Sequence, residues 1–375
     1  MIIGILKEQP GENRVAMLPD TAAALVKMKT GVLVEIGAGE KAFASDSDYE
    51  KAGAKVVSIQ DLVKGSDVIL SVNPPDRNFI SSMKAGQIII AALNPFFNGD
   101  LVKELASKNI TSFSLELLPR TTRAQSMDIL SSQATVAGYK AALDAANTLP
   151  EFMQMFMSAA GTIRPAKVMV VGAGVAGLQA IATSKRLGAV VEAFDVRSAA
   201  RDEVKSLGAR FIEVEGAKDE SSAGGYAVEQ TEEYKLKQQQ VIHDHAIKSN
   251  IIICTAQVPG KQAPVIVRKE TVEQMMPGSL IIDIAASTGG NCELTKNGEI
   301  VVHKGVKIIG RSDYPSDMPA DASRMFGNNM LNFLQLIIDD QGKINLNFED
   351  DLVKGTCLTH NNEIMNQMVK DAINN

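Results

Sequence analysis

The sequence predicts an α/β protein of two domains, each built around a largely parallel sheet. Three observations carry that prediction. Short apolar segments alternate with helical stretches from Ile2 to about Gly138, an order that calls for parallel strands joined by crossover helices. A second such series starts at Lys167. The 375 residues suffice for two domains of ordinary size. No sequence repeat links the two series, so their likeness is one of architecture.

In the first series, strands are expected at Ile2–Leu6, Val32–Ile36, Val68–Val72, Ile88–Ala92 and Thr111–Ser114, with helices at Asp20–Lys29 and Gly99–Lys108. In the second, they are expected at Val168–Val171, Val190–Phe194, Arg210–Ile212, Ile251–Thr255, Leu280–Ile284 and Val306–Ile309. That is the complement a full dinucleotide-binding sheet requires. Two helical stretches look like crossings between the domains. One is the alanine-rich Ala134–Ala146. The other is Ala320–Ile338, where Met325, Met330, Phe333, Leu334 and Ile337 keep a nearly helical spacing. The C-terminal tail is therefore assigned back to the first domain. The expected division is residues 1–138 with 328–375, and residues 139–327. A chain that crosses out and back leaves a cleft, where ligands of α/β proteins commonly sit.

Composition narrows the function. A net charge of −6 without a basic cluster argues against nucleic acid as a partner. No apolar run approaches the ~18 residues needed to cross a bilayer, and MIIGILKEQP reads as a buried strand, not a secretory signal. Cys254, Cys292 and Cys357 are odd in number and widely spaced, which fits a reducing cytoplasm better than a disulfide framework or a metal site. The expectation is a soluble cytoplasmic chain. His243 and His245 are two apart on an expected helix and face different ways, while His303 and His360 stand alone, so no metal site is expected. Met153, Met155 and Met157 read as core or interface packing.

Chemistry concentrates in two places. Gly172, Gly174 and Gly177 have GxGxxG spacing after an apolar strand and at the opening of a helix. The first permits the tight turn, the second lets backbone approach a pyrophosphate, and the third lets helix and strand pack closely. The diphosphate would meet the helix N-terminus. Asp195 ends the next strand, where a carboxylate accepts ribose hydroxyls and repels a 2′-phosphate, so NAD(H) is the expected ligand of this Rossmann-like unit. Arg197 is read as lining the adenine side. The other place is Arg120–Gln133, RTTRAQSMDILSSQ, a polar segment with almost no apolar periodicity until its end. Ser126 and Asp128 could cap a helix start, but Arg120, Arg123 and Gln125 fit a loop that grips a polar ligand. Between these places and the C-terminus, Gly216–Gly225 precedes Tyr226 and reads either as a surface loop or as a mobile flap over a nucleotide.

With RAQSMDILSSQ, the glycine turn, TAQVPG at Thr255–Gly260 and ASTGGNC at Ala286–Cys292, the chain resembles the NAD(H)-binding α subunits (domain I) of the proton-translocating NAD(P)+ transhydrogenases. These are related to the alanine dehydrogenases. The resemblance implies reversible hydride transfer between NAD(H) held here and NADP(H) held by a partner domain. It also implies a homodimer, attached peripherally to the inner membrane through membrane-spanning partner subunits that couple transfer to proton translocation. By the same resemblance Gln125 holds the nicotinamide ribose, Asp128 and Ser131 contact the carboxamide side, and Arg120 orients Asp128 and the cofactor. Val175, Val196, Gly225, Tyr226, Gln238, Thr255, Ala256 and Gln257 join the glycines, Asp195 and Arg197 in binding the nucleotide, with Tyr226 on a mobile loop at about 216–226.

Alanine dehydrogenase is the competing reading. Its chemistry moves a proton as well as a hydride and needs an acid–base group. Where those enzymes carry a lysine and a histidine, this chain has Ser71 and the stretch Ala91–Asn94 without histidine; Ser287 and Thr288 stand where they carry an aspartate. Transfer between two nicotinamides needs only proximity and alignment. Transhydrogenases themselves often keep a lysine at the Ser71 place. A non-catalytic NAD-binding regulator is the third reading, against which the RAQSMD segment argues.

Overall fold

The computed structural model describes residues 1–214, 232–258 and 260–374. The expected loop at about 216–226, with Gly225 and Tyr226, lies outside the described residues. Contacts divide the chain into two compact units, Met1–Gln133 with Pro315–Asn375, and Ala134–Tyr314. The first unit opens with strands β1 Ile2–Ile5, β2 Gly31–Glu35, β3 Lys55–Val57, β4 Val68–Leu70, β5 Ile88–Ala91 and β6 Thr111–Ser114. They lie side by side in the order β3-β2-β1-β4-β5-β6, all parallel. Both faces of the sheet are covered, as continuous apolar strands require. Ile88 and Ile90 pack in one core cluster while Ile89 and Ala91 pack in the other.

The first strands of the second unit form a short antiparallel hairpin, β7 Phe156–Ser158 and β8 Gly161–Ile163. Its main sheet comprises β9 Lys167–Val171, β10 Val190–Phe194, β11 Arg210–Phe211, β12 Ile251–Cys254, β13 Leu280–Asp283, β14 Ile300–His303 and β15 Val306–Gly310. The order is β11-β10-β9-β12-β13-β15-β14, parallel except for β14. Without that edge strand this is the 3-2-1-4-5-6 order of a dinucleotide-binding sheet. Strands β16 Cys357–His360 and β17 Glu363–Ile364 then extend the first sheet beyond β6, antiparallel.

The expected domain boundaries, after 138 and before 328, fall further along the chain than this division. They lie inside the helices Ile129–Thr148 and Pro319–Ile337. Gly138 packs too closely on the Ala176 carbonyl for any side chain, which ties it to the second unit. Ser323 accepts the Val15 N–H at 2.9 Å, which ties the Pro319–Ile337 helix to the first unit before residue 328. Of the three clustered methionines, Met153 is partly buried against the core of the second unit. Met155, just before the hairpin, and Met157 on it are 58% and 68% exposed. The three cysteines are free and buried.

Candidate functional site

In the second unit, β9 is the strand from which the chain winds both ways, so its junction with β12 is the topological switch point, where ligands of such sheets bind. Gly172–Gly177 follows β9 and Thr255–Gln257 follows β12 at that junction. Each glycine has its own reason. Gly172 has φ +92°, and a Cβ there would meet Thr255 Oγ1 at 2.8 Å and Ala256 N at 2.9 Å. A Cβ on Gly177 would collide with the Gly172 carbonyl. A Cβ on Gly174 would meet nothing within 4 Å, so this backbone borders open space. The Val175–Arg186 helix starts there, and its free N-terminal N–H groups suit a diphosphate. Val175 is exposed at its first position.

Asp195 is locked to that turn. One oxygen accepts the Ala173 N–H at 2.7 Å and Arg197 Nη2 at 3.0 Å. The other accepts Arg197 N and Nε at 2.8 and 2.9 Å. Val196 between them is half-buried, as is Gln238 on the Glu232–Ala246 helix. Thr255 Oγ1 donates to the Gly172 carbonyl at 2.8 Å, stitching the two segments together. Gln257 reaches the Ile284 carbonyl at 3.5 Å.

Asn291 supports this wall, although the sequence reading assigns it no role. Its Oδ1 accepts the Ala256 N–H at 2.9 Å, and its Nδ2 donates to the carbonyls of Ala256 and Pro264. Asn291 is itself held by Asp283, whose carboxylate accepts the N–H groups of Ala285, Asn291 and Cys292 and the Thr295 hydroxyl. Burial raises the Asp283 carboxyl, against those hydrogen bonds. An aspartate closing the apolar run LIID was the available signal.

In the first unit, the expected polar loop is a 3₁₀ helix, Thr122–Met127, running into the helix Ile129–Thr148. Residues three apart share a face in a 3₁₀ turn. Ala124 and Met127 accordingly both enter the core cluster that holds Phe326 and Met330. Arg123 is an anchor: it donates to both Asp350 oxygens and to Asp351 at 2.6 Å. Asn329 and Asn332 donate to the Ser126 carbonyl at 2.8 and 2.9 Å. The Asp128 carboxylate accepts the N–H and hydroxyl of Ser131 at 2.9 and 2.6 Å, in the manner of an N-cap. Gln125 and Arg120 are exposed.

Residues 4–137 match the N-terminal domain of the alanine dehydrogenase/PNT family, and residues 141–367 match its C-terminal domain. An NAD(P) transhydrogenase subunit alpha chain of Rhodospirillum rubrum is 45% identical, over 97% of this chain and 98% of that protein. The chain belongs to the alanine dehydrogenase/PNT family, on its transhydrogenase alpha-subunit branch. A solved transhydrogenase structure from Sinorhizobium meliloti is 42% identical and superposes with a TM-score of 0.89, covering 97% of this chain and 100% of that one. A structure of L-alanine dehydrogenase shares the fold at 23% identity, with a TM-score of 0.83 over 100% of this chain and 99% of that one.

Within this family fold, the first unit has its own switch point, between β1 and β4. A charged cluster that sequence reasoning missed fills it. Glu8 accepts the N–H groups of Val72 and Asn73 at 2.6 and 3.1 Å. Asn73 Nδ2 donates to Glu12 at 2.9 Å, and Arg14 donates to both Glu12 oxygens at 2.8 and 2.6 Å. Burial pushes the Glu8 carboxyl up to about 7; the two N–H bonds oppose it, and the Glu12 charge adds to the rise. Burial would also raise Glu12, but Arg14, with help from Asn73, outweighs it and holds that carboxyl at about 2. Ser71 is buried beside the cluster and donates to the Asn73 carbonyl at 2.6 Å, so it secures its own turn. Each histidine has an in-chain partner: His243 with Thr271, His245 with Glu192, His303 with Glu273 and His360 with Thr111. Among the described residues no cluster suited to a metal occurs, and no helix is long and apolar enough to cross a membrane.

Proposed function

We propose that this chain holds NAD(H) for reversible hydride transfer to NADP(H) bound on a separate partner domain, and that membrane-spanning partner subunits couple the transfer to proton translocation. The observation that carries the reading is the switch point of the second unit. There an open Gly174 backbone, a helix N-terminus and a carboxylate fixed to the turn meet. The helix N-terminus takes the diphosphate, Asp195 takes the adenosine ribose, and Thr255, Ala256 and Gln257 wall the nucleotide with Val175, Val196, Arg197 and Gln238. Gly225 and Tyr226 are proposed to cover it. Gln125, Asp128, Ser131 and Arg120 act at the nicotinamide end, where they orient the ring that carries the hydride. The Arg123, Ser126 and Met127 anchors suit that task, because alignment is the whole of the catalytic demand.

The test is spectrophotometric. Purified chain with NADH and an NADP analogue should show no appreciable transfer until an NADP(H)-binding transhydrogenase domain is added. Transfer should then proceed in solution, with neither membrane nor proton gradient. No transfer with the partner present would sink the proposal.

A further inference from the structure

We propose that Arg14 is a positioning residue for hydride transfer, setting the start of the Ile129–Thr148 helix, and with it the Arg120–Ser131 groups, through the side chain of Gln133. The inference rests on the function proposed above. Arg14 lies beyond β1 at the switch point of the first unit, with its side chain 11% exposed. Its guanidinium is used in two directions. Nε and Nη2 grip the two oxygens of Glu12, while Nη1 donates to Gln133 Oε1 at 2.8 Å. The same Gln133 amide donates through Nε2 to the Ala322 carbonyl at 3.1 Å. One amide thus bridges the segment after β1 and the Pro319–Ile337 helix.

Gln133 lies in the first turns of the helix that Asp128 caps, two residues beyond Ser131. Fixing its side chain therefore sets the rotation and axial position of the helix start. The Asn329 and Asn332 bonds to Ser126 tie the preceding 3₁₀ turn to that same Pro319–Ile337 helix. The linkage needs arginine: a planar fork can hold a carboxylate and still present a third donor at a fixed angle, whereas an ammonium is a point charge. A buried ion pair is a poor source of stability, but an unpaired buried charge is costly, and Glu12 supplies the charge that lets Arg14 stay buried there. The Glu12 carboxylate is in turn fixed by Asn73 and by the N–H groups of Asn13 and Arg14.

Gln133→Met removes the middle of the bridge and leaves the Glu12–Arg14 pair whole; Arg14→Lys keeps the charge and loses the fork. With the NADP(H)-binding partner domain present, both variants should lose about tenfold or more in kcat, as a misplaced reacting ring does. The NADH dissociation constant should stay within about threefold, since the nucleotide grip lies elsewhere. Amide hydrogen exchange at residues 126–133 should speed up in both variants, with β1, β4 and β5 unchanged. Unchanged kcat, or an equal loss of NADH affinity, overturns the positioning role while leaving the proposed function intact. If the wild-type chain itself transfers no hydride, the proposed function fails, and exchange at 126–133 alone decides whether Arg14 sets this segment; unaltered exchange overturns the claim.

Discussion

Asp195 has about four lone-pair sites, and the chain itself fills them with the Ala173 N–H and three donors of Arg197. In the proposed nucleotide contact, a ribose diol would displace part of the Arg197 guanidinium and leave it toward the adenine. Asp195→Ala should weaken NADH by ~1–3 kcal/mol and narrow the preference over NADPH, as titration calorimetry with both nucleotides would show. Equal binding of NADPH by the unmodified chain would remove Asp195 from the site. Glu8 gives a pH signature. Its folded carboxyl stands at about 7 against an ordinary 4.5. The stability it contributes is whole below about pH 4.5 and is lost as pH rises through 7, a swing of roughly 3 kcal/mol. Glu8→Gln cannot titrate, so relative to wild type it should gain about that much between about pH 5 and pH 8 in urea denaturation. A pH-independent difference would contradict the burial of an ionisable Glu8. At this scale the sequence made visible what is local. The glycine spacing and Asp195 stand within one strand–turn–helix–strand unit, where neighbours in sequence are neighbours in space. Glu12 and Arg14 meet Asn73 and Gln133 only through the fold, and so does Asn291 meet Ala256. No spacing rule reaches across such separations.

Among elements, the long apolar strands are the legible ones, because a sheet buried on both faces leaves uninterrupted runs such as IIIA and IIIC. The antiparallel edges are not. In β14 every residue is exposed or half-buried, and β17 is two residues long, so neither carries a pattern that separates strand from loop. The polar segment reads as a loop in sequence because Ala124 and Met127 are the only residues of the 3₁₀ turn that enter the core. The β7–β8 hairpin makes a testable claim about association. Phe156, Met157 and Ile163 are exposed on it, and Phe152 stacks on Phe156 at 5.5 Å. A lone two-stranded hairpin is marginal in water, and an exposed apolar cluster of this kind marks an interaction surface. We propose that two copies of the chain associate through it. Changing Phe156 and Met157 together to Ser should shift the chain to monomer in sedimentation velocity while NADH binding persists. A variant that remains dimeric would place the interface elsewhere.

The whole molecule uses one strand order twice, and the two switch points have diverged. One presents an open glycine turn; the other is filled by Glu8, Glu12, Arg14 and Asn73. That divergence bears on the choice between hydride exchange and amino-acid oxidation. Oxidising alanine requires a group that removes a proton from the amine or carbinolamine as the hydride leaves. Ser71 is buried with its hydroxyl committed to the Asn73 carbonyl, and Thr288 is committed to the Ala285 carbonyl. Glu8 has a pKa near neutrality, but its carboxylate is buried and already engaged by two backbone N–H groups. The isolated chain should therefore bind NADH yet give no NAD-dependent oxidation of alanine between about pH 6 and pH 10, a range that spans the titration of any such base. NADH absorbance in the presence of alanine and NAD measures this directly. A steady rise with the chain alone would reverse the assignment, because a protein able to move that proton has the acid–base equipment of a dehydrogenase and does not need a second nicotinamide.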